Sequence, residues 1–307
     1  MTHKSSVLVL GAAGFIGRHI TEGLAAHGGH VLAATREPSR FIHSALIENV
    51  VANFSQPGMF LPLLERCHAV VHAASTTTPG SSMAAPQIDG NLRTTLALIE
   101  ALQHKPTPRL LYLSSAGTLY GERDTPATES SPLRPRSYHG AGKAAAEHFI
   151  HAWAMQYQGT ALVIRPSNVY GPGQTARRGF AIVPTAMDHA IRGEPLEIWG
   201  NGMQIRDYLY VDDLVALCLF ALGASVSSGC HVYNAASGDA ITLNELLTRI
   251  EMISGHIIGR LHGPARPADV GRILVSAETA RRTLGWKPVI GLGEGLSRTW
   301  AWHRSDG

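Results

Sequence analysis

Cysteine is scarce: Cys67, Cys218 and Cys230 are the only three in 307 residues. No two of them share a Cys-x-x-Cys spacing, which argues against a disulfide framework or a thiolate metal knuckle. Long apolar runs are missing as well. The first run, "VLVL", stops at Gly11 after four residues, so it reads as a strand and not as the apolar heart of a signal segment. No stretch reaches the ~18–20 apolar residues that a membrane span needs, and a cytoplasmic protein with no membrane partner is expected. Charge of one sign is not in excess: 26 Lys and Arg face 23 Asp and Glu, a formal +3. The basic residues are scattered, so no nucleic-acid stripe is expected, while a mildly basic balance suits an anionic ligand. Sixteen histidines raise the question of a metal, but none pairs with a second ligand at a recognised spacing, and none is expected. What remains is 45% hydrophobic and 16% charged, the composition of a globular chain forming one large domain or two moderate ones.

Short apolar runs alternate with helix-length amphipathic segments over residues 1 to 166. "SVLVLG", "HVLAAT", "AVVHAA", "RLLYLSS" and "TALVIRP" are apolar throughout, as strands buried on both faces must be. Between them "FIGRHITEGLAAHG", "PGMFLPLLERC", "IDGNLRTTLALIEALQ" and "GKAAAEHFIHAWAMQY" repeat their apolar residues at helical spacing. The alternation predicts a doubly wound parallel α/β sheet of the Rossmann kind. Later the rhythm loosens into Gly-rich loops, "YGPGQTARRG" and "GNGMQIRD", a helix "VDDLVALCLFALG" and a strand "HVYNAA". A smaller α/β lobe is therefore expected from 167–206 and 240–307, with 1–166 and 207–239 forming the main domain.

"GAAGFIG" follows the first strand and opens the first helix. Gly11 permits the tight turn, Gly14 lets a pyrophosphate approach the backbone, and Gly17 allows close helix–sheet packing. The helix start at Phe15 and Ile16 then offers free N–H groups to the diphosphate. At the end of the second strand, where a carboxylate would hold the ribose of NAD, stand Thr35 and Arg36. A guanidinium suits a 2′-phosphate, so NADP is expected over NAD. Asn53 is placed to meet the adenine, and "HAAS", with Ala73 and Ala74, to line the cofactor's flank; Asn53 capping a turn and a core His72 are the alternatives.

With "GAAGFIG", "HAAS", "SSAGTLYG", "RPSNVYGPG", "GNGMQIRDYLYVDDL" and "LGWKP" in this order, the chain resembles the extended short-chain dehydrogenase/reductases, in particular their NAD-dependent epimerase/dehydratase group acting on nucleotide sugars. The resemblance spans nearly the whole sequence. It implies hydride exchange at a sugar carbon, with a tyrosine moving the hydroxyl proton and a lysine four residues later holding the nicotinamide ribose. It also implies Phe54 and Pro166 beside the cofactor, and a homodimer built on the helices containing "LRTTLALIEAL" and "AAAEHFIHAWAM".

The lysine is Lys143, with Glu147 four residues on, but the tyrosine position holds His139 and a tyrosine stands next door at Tyr138. Three readings follow. His139 carries the proton, its ordinary pKa of about 6.5 suiting the task; or Tyr138 reaches in, although one residue turns a helical side chain by ~100°; or the site binds without turnover. The strand-five hydroxyl of the resemblance falls to Thr118, with Ser115 as the other candidate. For a nucleotide-diphosphate sugar the resemblance supplies Arg206 and Arg266 for the diphosphate, Asn168 for diphosphate or sugar, Asp269 for a ribose and Gln204 near the base. Arg177 and Arg178 are expected to stay outside the contact set. A 4-epimerase is the expected activity, a 4-ketoreductase or a non-catalytic binder the alternatives.

Overall fold

The structure is a computed structural model that describes residues 6–39, 45–80, 83–176, 180–265 and 270–306. Its first half lays down β1 (Ser6–Leu10), α1 (Phe15–Ala26), β2 (Val31–Thr35), β3 (Ile47–Val51), α2 (Leu61–Leu64), β4 (Cys67–His72), α3 (Arg93–His104), β5 (Arg109–Leu113), α4 (Ala116–Leu119), α5 (Tyr138–Gln156) and β6 (Thr160–Pro166). The second half adds β7 (Asn168–Tyr170), α6 (Ile182–Arg192), β8 (Leu196–Trp199), β9 (Ile205–Tyr210), α7 (Val211–Gly223), β10 (Gly229–Ala235), β11 (Ala240–Thr242), α8 (Leu243–Ser254), β12 (Arg260–Gly263), α9 (Glu278–Leu284) and α10 (Leu292–Asp306).

Seven parallel strands form the main sheet in the order β10-β6-β5-β4-β1-β2-β3. The expected doubly wound sheet is there, and the apolar runs explain it. Val7 and Val9 of β1 pack on one face with Ile20 of α1 and Leu214 of α7, while Leu8 and Leu10 pack on the other with Leu98 of α3 and Ile150 of α5. Chain order reverses between β1 and β4, and sheets of this kind take their ligand in the crevice beyond the strands' carboxyl ends at such a point.

The smaller lobe gathers around β11-β9-β7 and the pair β12-β8. Met187, Leu196, Tyr208, Leu246, Ile250 and Trp300 lie in its core. None of these strands exceeds six residues, and the end of the expected loop "GNGMQIRD" already belongs to β9. The expected helix in "PGMFLPLLERC" is instead a 3-10 turn at Pro57–Met59 followed by the single turn α2, because Pro57 and Pro62 interrupt the backbone ladder. The helix α9 packs against β10, with Ala280 and Trp286 in the core under the main sheet. Among the described residues no helix is long and apolar enough to cross a membrane.

Candidate active site

The turn after β1 is built for backbone proximity. Gly11 has a φ of +79°, and a Cβ there would lie 2.7 Å from Ala74 Cα; a Cβ on Gly17 would lie 2.1 Å from Gly11 O. Only glycine tolerates both demands, and they seat the start of α1 against Ala73 and Ala74 at the end of β4. Gly14 is the N-cap of α1 and no side chain caps the first turn. The N–H groups of Phe15, Ile16 and Gly17 thus have no side-chain cap, next to an exposed Gly14, as a diphosphate site requires. Thr35 is buried and its hydroxyl donates to Glu37 O at 2.7 Å, while Arg36 is exposed. Asn53 is exposed, but Phe54 is a core residue with its ring 5.3 Å from that of Phe60. Pro166 closes β6.

Across the crevice, α5 begins regularly: Ser137 Oγ accepts from Gly140 N at 3.1 Å. Tyr138, the first helical residue, is 49% exposed, whereas His139 is 6% exposed. The regular first turn shows none of the distortion that would bring Tyr138 inward. His139 Nδ1 lies 2.9 Å from Thr77 Oγ1. One turn along, buried Lys143 donates to Leu113 O at 2.8 Å, and its Nζ lies 4.7 Å from the centroid of the Tyr112 ring. Burial pushes Lys143 down to about 8, the charge of Glu147 opposing the shift. Burial, and then the charge of Lys143, push His139 down to about 4. At neutral pH the pair is therefore a neutral imidazole beside an ammonium.

Two hydroxyls beyond β5, Ser114 Oγ and, within α4, Thr118 Oγ1, are buried without a partner among the described residues, and orphaned buried hydroxyls call for a ligand or water. With the glycine turn and Lys143, they fit a nicotinamide dinucleotide and a hydroxylated substrate meeting at the crevice. Ser115, the N-cap of α4, is half-buried and caps nothing with its side chain. His72 is a satisfied core residue on one side: its Nε2 is 3.0 Å from Thr95 Oγ1, and burial with the Lys143 charge pushes it down to about 3.

On the lobe side, Asn168 Nδ2 donates to Asp207 O at 2.9 Å, with its carboxamide beside Gly117 of α4. Gln204 is half-buried just ahead of β9. Arg206 folds back, donating to Ile205 O at 2.8 Å and Val270 O at 2.7 Å. Arg266 and Asp269 lie outside the described residues, as do Arg177 and Arg178. The sequence reading missed a polar cluster behind His139. Asn91 Nδ2 donates to Thr77 Oγ1 at 2.8 Å and to Gln87 Oε1 at 2.7 Å, and Ser75 Oγ donates to Asn91 Oδ1 at 3.0 Å. Its only signal in the sequence is the hydroxyl run "STTT" shortly after the fourth strand.

Residues 7–236 match the model of the NAD dependent epimerase/dehydratase family. The chain belongs to that family. It is an enzyme of a group that comprises NAD-dependent epimerases, dehydratases and reductases. It is 30% identical over 309 residues to the UDP-glucose 4-epimerase of Mycolicibacterium smegmatis, covering 97% of this chain and 98% of that protein. The solved UDP-glucose 4-epimerase of Thermotoga maritima with UDP-glucose superposes with a TM-score of 0.90 at 28% identity, over 97% of this chain and 98% of that one. The Thermus thermophilus UDP-glucose 4-epimerase in complex with NAD gives the same TM-score and identity over 98% and 100%. The family is named for NAD and this neighbour holds NAD, so the preference for NADP read from Arg36 finds no support in either.

Proposed function

We propose that the protein is a UDP-sugar 4-epimerase that works through a transient 4-keto sugar, with His139 in place of the tyrosine as proton carrier. The observation that carries this reading is the buried His139 one helical turn before Lys143, both at the crevice that the glycine turn enters. The bound dinucleotide supplies a reversible acceptor for the hydride on C4. Lys143 holds the nicotinamide ribose with a charge that is largely retained at neutral pH. His139, neutral above about 4, takes the C4 hydroxyl proton on Nε2 as that hydride leaves. Once the keto sugar has turned over in the crevice, the hydride returns to the opposite face and Nε2 gives the proton back to O4. No net oxidation results, and the hydroxyl of Thr118 or Ser115 steadies the oxygen throughout.

In this reading the glycine turn, Ala73, Ala74, Asn53 and Pro166 border the dinucleotide. Asn168, Gln204 and Arg206 face the sugar nucleotide from the lobe. Arg206 exchanges the carbonyls of Ile205 and Val270 for the diphosphate, where a planar guanidinium makes paired charge-assisted hydrogen bonds. Arg36, exposed at the end of β2, is a cation placed for a 2′-phosphate, so cofactor choice is measured and not assumed. The test is to load the purified protein with NAD or NADP in parallel and supply UDP-galactose. Appearance of UDP-glucose without net change in reduced-nicotinamide absorbance is expected. Stoichiometric consumption of NADPH with a keto sugar would assign a reductase instead, and ligand-induced thermal shifts with no product in any arm would leave a binding protein.

A further inference from the structure

An imidazole that must first take a proton and later return it needs a partner at its other nitrogen in both states. While Nε2 takes and returns the proton, Nδ1 keeps its own hydrogen, so that partner must accept. A hydroxyl oxygen can do so, and the described residues place one at Nδ1 of His139, the Oγ1 of Thr77 at 2.9 Å. We propose that Thr77 is the positioning residue of His139, its hydroxyl oxygen accepting from Nδ1–H and so leaving Nε2 free to take and return the sugar proton. This inference rests on the reading of His139 as proton carrier.

The surroundings restrict Thr77 to this task. Asn91 Nδ2 occupies one lone pair of Oγ1 at 2.8 Å, leaving one O–H and one lone pair for Nδ1. With the ring neutral and its proton on Nδ1, that lone pair accepts from Nδ1–H and Nε2 is left as the base. When Nε2 has taken the sugar proton, Nδ1–H and its acceptor are unchanged, and the charge on the ring strengthens the hydrogen bond. Proton count is conserved: the sugar proton resides on Nε2, and the Thr77 oxygen keeps its own hydrogen. Asn91 in turn is held by Gln87 Oε1 and Ser75 Oγ, so the lone pair it fills does not drift. Two glycines let the layers close. A Cβ on Gly90 would lie 2.5 Å from Thr77 Cγ2, and one on Gly142 would lie 3.0 Å from Asn91 Nδ2. The cluster is thus clamped between the turn after β4 and the body of α5.

The test uses the full chain loaded with its dinucleotide, comparing Thr77→Val, Thr77→Ala, Thr77→Ser and His139→Phe. For Thr77→Val, kcat for UDP-galactose epimerisation is expected to fall on the order of 10- to 100-fold with KM within about threefold, because the lost hydrogen bond matters most when the ring is charged. Thr77→Ser should return kcat to within about threefold, and Thr77→Ala, which removes the hydroxyl without adding a methyl group, should show the same loss as valine. Independently of activity, two-bond 1H–15N spectra of histidine-labelled protein should show the His139 Nδ1 signal moving towards that of a nitrogen without a hydrogen bond in Thr77→Val. Unchanged ring signals and wild-type kcat in Thr77→Val, alongside an inactive His139→Phe, would reduce Thr77 to packing and overturn this inference alone. A fully active His139→Phe would overturn the proton-carrier reading itself.

Discussion

At position 139 the imidazole and the ammonium one turn away set limits on when the site can work. Burial disfavours the charged form of His139, so its pKa falls from the ordinary value to about 4; burial likewise lowers Lys143 to about 8. The active pair is neutral histidine with charged lysine. The first condition holds above about 4 and the second below about 8. The profile of kcat/KM against pH, which reports the free enzyme, should therefore be flat between these values. It should fall on the acid side as His139 charges and on the alkaline side as Lys143 loses its charge. His139→Phe should lower kcat by ~10²–10⁴-fold, the usual contribution of a general acid–base group, while Tyr138→Phe, at a residue 49% exposed, should stay within about twofold of wild type. An acid limb near the ordinary histidine value, or a Tyr138→Phe variant as weak as His139→Phe, would refute this assignment.

The element that delivers both groups is the start of α5, and its position depends on one missing side chain. A Cβ on Gly140 would stand 2.4 Å from Thr118 O and 3.1 Å from Pro135 Cβ. Since the obstacle is backbone, Gly140→Ala must push α5 off α4, separating His139 from Thr118. Overpacking of this kind costs ~1–3 kcal/mol. The expected outcome is a lower urea midpoint together with a loss of kcat; Ser137→Ala, which removes only the cap at Gly140 N, should cost ~1 kcal/mol. Unchanged kcat in Gly140→Ala would show that the chemistry tolerates a displaced helix start. This also marks how far the sequence could be read. The glycine turn, the six apolar strands of the main sheet and the Lys143 position are local patterns, and each is visible in one short window; the half-exposed edge strand β3 lacks such a run and is not among those expected. The partner of His139 is not, because Thr77 lies 62 residues upstream among polar residues that resemble any loop. The lobe's strands of three to six residues are too short for alternation to register. The return of Arg206 onto Val270 is a tertiary contact that no spacing announces.

At the scale of the whole molecule, buried polar pairs tie the lobe to the main sheet, while among the described residues one face of α5 is left uncovered. Asp207 of β9 accepts from Ser167 Oγ, Ser237 N, Ser237 Oγ and Gly238 N, tying the lobe to the ends of β6 and β10. Beneath Lys143, Glu147 pairs with Arg165 at 2.6 Å, both 7% exposed, and Arg165 reaches Tyr120 Oη at 2.8 Å; breaking such a buried pair on one side leaves a stranded charge. The back of α5 is different. Tyr138, Ala141, Ala145, Phe149, Ala152 and Met155 recur at helical spacing on its outward face. Tyr138, Phe149 and Met155 are 49%, 48% and 56% exposed, and Ile88, on the turn packed against α5, is 56% exposed. Small residues interleaved with large apolar ones permit close helix approach, and a second copy of the same face is the occupant that symmetry favours. A homodimer across α3 and α5 is thus the proposed assembly, with an interface of ~1,200–2,000 Å² needed to hold it. Sedimentation equilibrium should find the wild type as a pair of 32.8 kDa chains, and Phe149→Glu combined with Met155→Glu should leave single chains with an unchanged circular dichroism spectrum. These charges face away from His139, so the fold should survive while the pair does not. A wild type that stays monomeric at tens of micromolar, or a double variant that still pairs, would place the interface elsewhere or nowhere.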